Sequence, residues 1–231
     1  MRRISLSAVL MVFGLASQLQ AGTVYDAVAD FSIASNPNGA WSYLYNLGSG
    51  PQLLTQTIVG STGIDYWWSG QGIPDSIVTF KNTTSAPVDD GTRVLPPNLL
   101  GMDPEIATAD ITRWTAPSTG MWSFSGLFQG IDVDQHAHTV EILENSSTVL
   151  LAPTTISSFG QTVGFSGTVS LTQGATIDFI VNGTPSFTFL STGLSATIQL
   201  ASIPEPSSII MALIGGLSLS GYVCYRRVRY A

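Results

Sequence analysis

The chain has 231 residues, 44% hydrophobic and only 10% charged, with 23 glycines and a single cysteine, so it is long enough for one domain with a sizeable core whose solubility rests on hydroxyls and amides. Its formal net charge of -7 is unevenly spread: between the terminal segments only Lys81, Arg93 and Arg113 are cationic, against fourteen carboxylates. So anionic a surface repels phosphate backbones and excludes nucleic acid as a partner.

At the N-terminus Arg2-Arg3 precede an apolar run from Ile4 to Leu15, and Leu19-Gln20-Ala21 supplies a small residue at a cut. Residues 1-21 read as a signal peptide cleaved after Ala21. Ala16 is the alternative, because Leu19 is bulkier than the small side chain usually found two positions earlier. Cys224 lies near the other end, so residues 22-203 contain no cysteine and their stability must come from packing.

Within 22-203 strand signals dominate. Trp41, Tyr43 and Tyr45 fall on one face of a strand, whereas the adjacent Trp67 and Trp68 must point to opposite faces and cannot both enter one core. Trp41, Trp67 and Trp68 are therefore candidate platforms for stacking on a sugar ring, the plainer alternative being that two layers or loops cover them all. Ile111 to Thr115 and the alternating Trp122, Phe124 and Phe128 make two strands joined through Pro117 and Gly120.

Asp132-Val133-Asp134-Gln135-His136-Ala137-His138 holds both histidines of the chain. If extended, a period of two puts Asp132, Asp134, His136 and His138 on one face as ligands for a divalent cation. The preferred reading is a solvated connection between a strand ending near Ile131 and one starting near Thr139. Calcium is the other candidate cation, through oxygen-rich loops such as Asp89-Asp90 or Asp103 to Glu105, although no EF-hand spacing is present.

Beyond it Phe159, Val163, Phe165, Val169 and Leu171 keep to odd positions with Ser and Thr between them, as one long bent strand or a strand pair. Ile177, Phe179 and Val181 repeat the alternation, Asn182-Gly183 suits a tight hairpin turn into Phe187-Phe189, and Leu194, Ala196, Ile198 and Leu200 make the last strand. Many short strands without intervening helices predict an all-β fold, an antiparallel sandwich of jelly-roll type over residues 22-203, with a barrel as the alternative.

Gly164-Phe165-Ser166-Gly167-Thr168 lacks the last glycine of a nucleophile elbow, and residues 22-203 offer no catalytic cysteine. The expectation is a non-catalytic protein that needs no cofactor. Carboxylates suffice for a glycosidase pair, whose spacing the sequence does not give, so a secreted glycan-active hydrolase is the rival reading, and a purely structural envelope protein the third.

From Ser207 to Tyr225 the 19 residues carry no charge, enough to span a bilayer as a helix, and Arg226, Arg227 and Arg229 follow. The positive-inside rule keeps that basic cluster cytoplasmic and puts residues 22-203 outside, as the signal peptide does. Immediately before the run stand Pro204-Glu205-Pro206. Residues 204-231, with the triplet, the apolar helix and the basic cluster in that order, resemble the PEP-CTERM sorting signal of exported bacterial proteins. The resemblance implies recognition and cleavage near the triplet by an exosortase, an integral-membrane cysteine transpeptidase, and delivery to an outer envelope rich in extracellular polysaccharide. A permanent single-pass anchor is the alternative. Asp30-Phe31-Ser32, Asn36-Pro37-Asn38-Gly39, Trp41-Ser42-Tyr43, Arg113-Trp114-Thr115-Ala116-Pro117 and Thr176-Ile177-Asp178-Phe179 are similar to a recurring module of exported bacterial proteins, which implies a sandwich in an extracellular setting.

Overall fold

The computed structural model describes residues 23-59, 63-70, 76-185, 188-201 and 215-216. The expected signal peptide with Ala21, the Pro204-Glu205-Pro206 triplet, the apolar run apart from Gly215 and Gly216, and Arg226, Arg227 and Arg229 lie outside them. Among the described residues no helix is long and apolar enough to cross a membrane.

The strands follow in order: β1 (Val24–Asp26), β2 (Trp41–Asn46), β3 (Pro51–Leu53), β4 (Gln56–Val59), β5 (Ile64–Trp68), β6 (Val78–Asn82), β7 (Val88–Asp90) and β8 (Arg93–Leu95). Then come β9 (Leu100–Asp103), β10 (Ala109–Thr115), β11 (Gly120–Gly130), β12 (His138–Glu144), β13 (Thr148–Ile156), β14 (Thr162–Leu171), β15 (Thr176–Asn182) and β16 (Thr192–Leu200). The larger sheet runs β14-β11-β16-β9-β6-β5-β4, with β1 also on β16; the second runs β13-β12-β15-β10-β2-β3, and β7-β8 form a separate hairpin. Each ordered path ends in edge strands, so these are open sheets rather than a closed barrel. Strands β9 to β16 are arranged β9-β16-β11-β14 in one sheet and β10-β15-β12-β13 in the other. That interleaving is the strand order of a jelly roll.

Alternation fixes which residues fill the space between the sheets. Trp41, Tyr43 and Tyr45 of β2, Trp114 of β10, Trp122, Phe124 and Phe128 of β11 and Ile177, Phe179 and Val181 of β15 form one core with Leu194, Ala196 and Ile198 of β16. Burying a large apolar side chain contributes on the order of 2 kcal/mol, so packing alone can hold a domain without disulfides. Phe159 falls outside the expected strand, in the turn before β14, where it is largely exposed.

The hairpin expected at Asn182-Gly183 does not form, because the chain leaves β15 there for the 105-108 segment. Gly183 N–H donates to the Thr108 carbonyl at 2.7 Å, and a Cβ at Gly183 would lie 1.9 Å from the Glu105 carbonyl oxygen. Close approach of two backbones, not turn geometry, demands the glycine.

Several residues of the motifs at 30-43, 113-117 and 176-179 make bonds within the fold. Asp30 accepts from the Trp41 indole at 3.1 Å, and Asn36 donates to the Tyr43 and Leu54 carbonyls at 2.7 and 2.8 Å. Arg113, directly across from Asp178 in the β10-β15 register, donates to both its oxygens at 2.6 and 2.8 Å. These residues tie the N-terminal loop and the second sheet together; none of them lines a cleft described below.

On its outer face the larger sheet carries a second, smaller core of Ile64, Phe80, Leu95, Leu99 and Ile131. The β7-β8 hairpin roofs it. Gly101 of β9 makes room, since a Cβ there would meet the Phe80 ring at 2.3 Å. The hairpin stands off the sheet and so forms one wall of a depression beside this core.

Candidate functional site

That depression is a cleft of about 680 Å³. Its base is the outer face of β4, β5, β6 and β9, contributing Ile58, Tyr66, Trp68, Val78 and Asp103, and its walls are the 90-93 turn of the hairpin, Asp132, and residues 188-191. Tyr66 and Trp68 are two positions apart on β5 and so share this face, while Trp67 between them points into the main core.

Arg93 organises the polar side. Its guanidinium pairs with Asp90 on one side and with Asp103 at 3.3 Å on the other, and lies 5.0 Å from the Phe80 ring centroid. Tyr66 Oη donates to Asp90 at 2.8 Å, and burial followed by that hydrogen bond pushes the phenol up to about 12, so it stays a donor. Burial likewise raises the Asp103 carboxyl, with Arg93 opposing the shift. Below Asp103, between the sheets, lies Asp110. It accepts from Thr79 Oγ1 at 2.8 Å and from the Asp103 backbone N–H at 3.0 Å, and burial drives its carboxyl well above the ordinary 3.8. The cleft therefore has a fixed row of acceptors and one planar donor, held from beneath.

The three tryptophans proposed as sugar platforms part company here. Trp41 and Trp67 are 1% and 5% exposed, each with its indole N–H bonded inside the fold, to Asp30 and to the Ser32 carbonyl. Trp68 alone is half-buried and lines the cleft, its N–H donating to Ser76 Oγ at 3.1 Å.

The Asp132 to His138 stretch does not run extended: it turns at Val133-Asp134 before β12 begins. The period of two that would align four ligands is therefore broken. Asp132 is buried, accepting from the Asp134 N–H and from Thr92 Oγ1 at 3.0 Å each. His138 is buried on the opposite flank, Nδ1 facing the His136 carbonyl at 2.9 Å and Nε2 facing Thr192 Oγ1 at 2.7 Å. A carbonyl can only accept, so Nδ1 carries a proton; Thr192 Oγ1 in turn donates to the Leu190 carbonyl at 3.1 Å, and burial lowers the pKa of the ring. Among the described residues no group of three or more His, Cys, Asp or Glu is placed to hold a metal ion.

The stretch instead props up the far wall of the cleft. Gln135 Nε2 and the His136 N–H both donate to the Phe189 carbonyl at 3.1 Å, and His136 Nδ1 faces the Thr188 carbonyl at 2.9 Å. Phe189, 42% exposed, sits at a φ of +61°, a left-handed conformation rarely adopted by an aromatic residue. Tyr66, Arg93 and Phe189 are site residues that the sequence did not mark, whereas Asp90, Asp103 and Glu105, marked there only as calcium-loop candidates, line this cleft. The scarcity of cations made Arg93 findable, since one of three cations in the domain must have carboxylates competing for it; nothing in the sequence marks the strain at Phe189.

No family model matches the sequence. No curated protein matches it either. Among solved structures, CBM35 from Paenibacillus barcinonensis matches at 12% identity with a TM-score of 0.31, over 78% of this chain and 100% of that one. A family 35 carbohydrate binding module from Clostridium thermocellum matches at 11% identity and a TM-score of 0.30, over 69% and 99%. Rabbit GITRL matches at 13% identity and a TM-score of 0.27, over 40% and 74%. Likenesses this remote assign the chain to no family.

Proposed function

We propose that this is an exported, surface-sorted, non-catalytic protein of the envelope or extracellular matrix, whose β-sandwich binds polysaccharide in the cleft over β5, β6 and β9. The observation that carries the binding reading is the half-buried indole of Trp68 beside the Asp90-Arg93-Asp103 row in one depression. A pyranose ring has an apolar face edged by hydroxyls. An indole takes the face, while oriented carboxylates and a guanidinium exchange hydrogen bonds with the edge. Within this row Asp90 and Asp103 are both tethered to the Arg93 guanidinium, which holds them as fixed acceptors for ligand hydroxyls.

Export and sorting are supported by the two termini, whose charge patterns agree on topology. Mass spectrometry of the mature C-terminus tests this part: cleavage near Pro204-Glu205-Pro206 in cells with an active exosortase is expected, and a chain still ending at Ala231 would make the tail a permanent anchor.

For the cleft, the purified full chain is titrated against bacterial and plant polysaccharides, with reducing-sugar release followed in the same samples. Saturable binding that Trp68→Ala abolishes without lowering the melting temperature is expected. Trp67→Ala is no substitute, because it empties the core. Binding indifferent to Trp68→Ala, or none across the panel, would remove the cleft reading; release of reducing ends would replace it with the hydrolase.

A further inference from the structure

Among the described residues four strands end the ordered paths of the two sheets, β1 lying beside β16 as a further three-residue strand, and three of the four carry features that stop another strand from adding. β3 is three residues long and begins with Pro51, β4 has only four residues, and β13 contains Pro153 and is irregular against β12, with register shifts around Ile142. β14 has no such protection. It runs ten residues in unbroken register with β11 from Gln129↔Thr162 to Gly120↔Leu171, without proline or charge. No residue from Asn145 to Ile177 is charged at all, so this whole side of the sandwich lacks the like-charge repulsion that the acidic remainder would give two copies. Val163, Phe165 and Val169 face inward along β14 and are only partly covered by their own core.

We infer that β14 is a self-association edge: two copies of the chain pair β14 with β14, antiparallel about a two-fold axis, and extend the larger sheet across the dimer. The strand is suited to itself. In a continuous sheet, residues on the same face must stand opposite each other, and an axis through Ser166 satisfies this over nearly the whole strand. It sets Val163 against Val169, Gly164 against Thr168, and Phe165 against Gly167, where a glycine leaves space for the ring. The unpaired backbone groups of both edges are satisfied together, and the half-covered apolar row is buried. Closed two-fold pairing is the commonest form of self-association, and it leaves β4 unused.

The test is sedimentation of the purified full chain in mild detergent, wild type against Ser166→Lys. Ser166 points to solvent, and across the axis its replacement faces its own copy about 5 Å away, where like charges repel. The wild type is expected to be a dimer, and Ser166→Lys to raise the dimer dissociation constant about tenfold or more, a change of about 1.4 kcal/mol. Mixing Ser166→Lys with Ser166→Glu is expected to restore dimers, and Thr57→Lys on the opposite edge to change nothing. A monomeric wild type overturns the inference, as does a dimer that Ser166→Lys leaves intact, which would place association in the tail, or an open series of oligomers broken by Thr57→Lys. Should Ser166→Lys fail to fold, the Ser166→Glu variant alone decides by the same measure.

Discussion

Phe189 is an aromatic side chain on a backbone that glycine would adopt without cost. Left-handed φ in a non-glycine residue costs of order 1–3 kcal/mol and persists where neighbours over-determine it. Here Gln135 and His136 do so, by clamping the carbonyls of residues 188 and 189. Phe189→Gly removes the strain and with it a ring that is already 42% exposed. Stability is expected to stay within about 1 kcal/mol of wild type, the two effects offsetting, while affinity for the glycan falls. Paired thermal melts and calorimetric titrations check this; a loss beyond about 2 kcal/mol would make Phe189 a packing residue rather than a cleft residue. At this scale the sequence was half legible. Adjacency already required Trp67 and Trp68 to face opposite ways, but which of them met the solvent depended on the second sheet packing over the Trp67 face, a long-range event with no local signature. His136 and His138 were likewise visible as unusual residues, yet their partners, the Thr188 carbonyl and Thr192, lie more than fifty positions away.

Strands in this fold are fixed by where a neighbour comes too close. In β11 a Cβ at Gly126 would stand 1.9 Å from the Ser195 carbonyl oxygen on β16, whereas a Cβ at Gly164 on β14, one pair along the same ladder, meets nothing within 4 Å. Gly126→Ala must push two central strands apart and is expected to cost roughly 3 kcal/mol; Gly164→Ala is expected to stay within about 0.5 kcal/mol of wild type. Denaturant titration of the pair separates them. The alternation of β11 and β16 was readable because one face of each is apolar and the other largely polar; β2 and β15 are buried on both faces, with Leu44 and Ile180 packed on the outer side, and show alternation only through the larger side chains that face the main core. Gly183 was misread for a physical reason: Asn-Gly signals a hairpin only if the next strand is there to pair, and here the neighbour is the 105-108 backbone.

A second element-scale consequence concerns β10, which carries Asp110 into the space between the sheets. Burial disfavours its carboxylate and raises its pKa, and Asp103 above it is shifted the same way. The fold thus binds these protons more tightly than the unfolded chain does. Their contribution to stability is full below the unfolded value of about 3.8 and is lost as the pH rises through the higher folded values. Asp110→Asn keeps a carbonyl oxygen for the Asp103 N–H and can donate to Thr79 Oγ1, so it removes the titration without emptying the site. The variant is expected to be at least as stable as wild type at pH 7 and to lose less stability between pH 4 and pH 7. Melting curves across that range decide; a variant that is less stable at pH 7 would show Asp110 to be a favourable ion there.

For the whole molecule, the placement of the cleft and of the free edge on one sheet couples the two proposals. β14 ends the larger sheet on one side, and the cleft lies over β9, β6, β5 and β4 on the other. A two-fold axis perpendicular to the sheet keeps both clefts on the same face of the dimer. With strands about 4.8 Å apart, they stand roughly 50 Å from each other, before twist. Such spacing is beyond a short oligosaccharide but within reach of one polysaccharide chain or of neighbouring chains in a matrix. Binding at the second cleft is then intramolecular, and avidity rises with no new contact. The expected result is that Ser166→Lys leaves affinity for a hexasaccharide unchanged and weakens binding to the parent polymer by about tenfold to a hundredfold, as read by calorimetry for the one and retention on immobilised polymer for the other. Equal weakening on both would mean that Ser166→Lys disturbs the cleft itself through the sheet. No weakening on either, in a variant shown to be monomeric, would mean that each cleft works alone and that pairing at β14 serves assembly of the envelope rather than grip on the glycan.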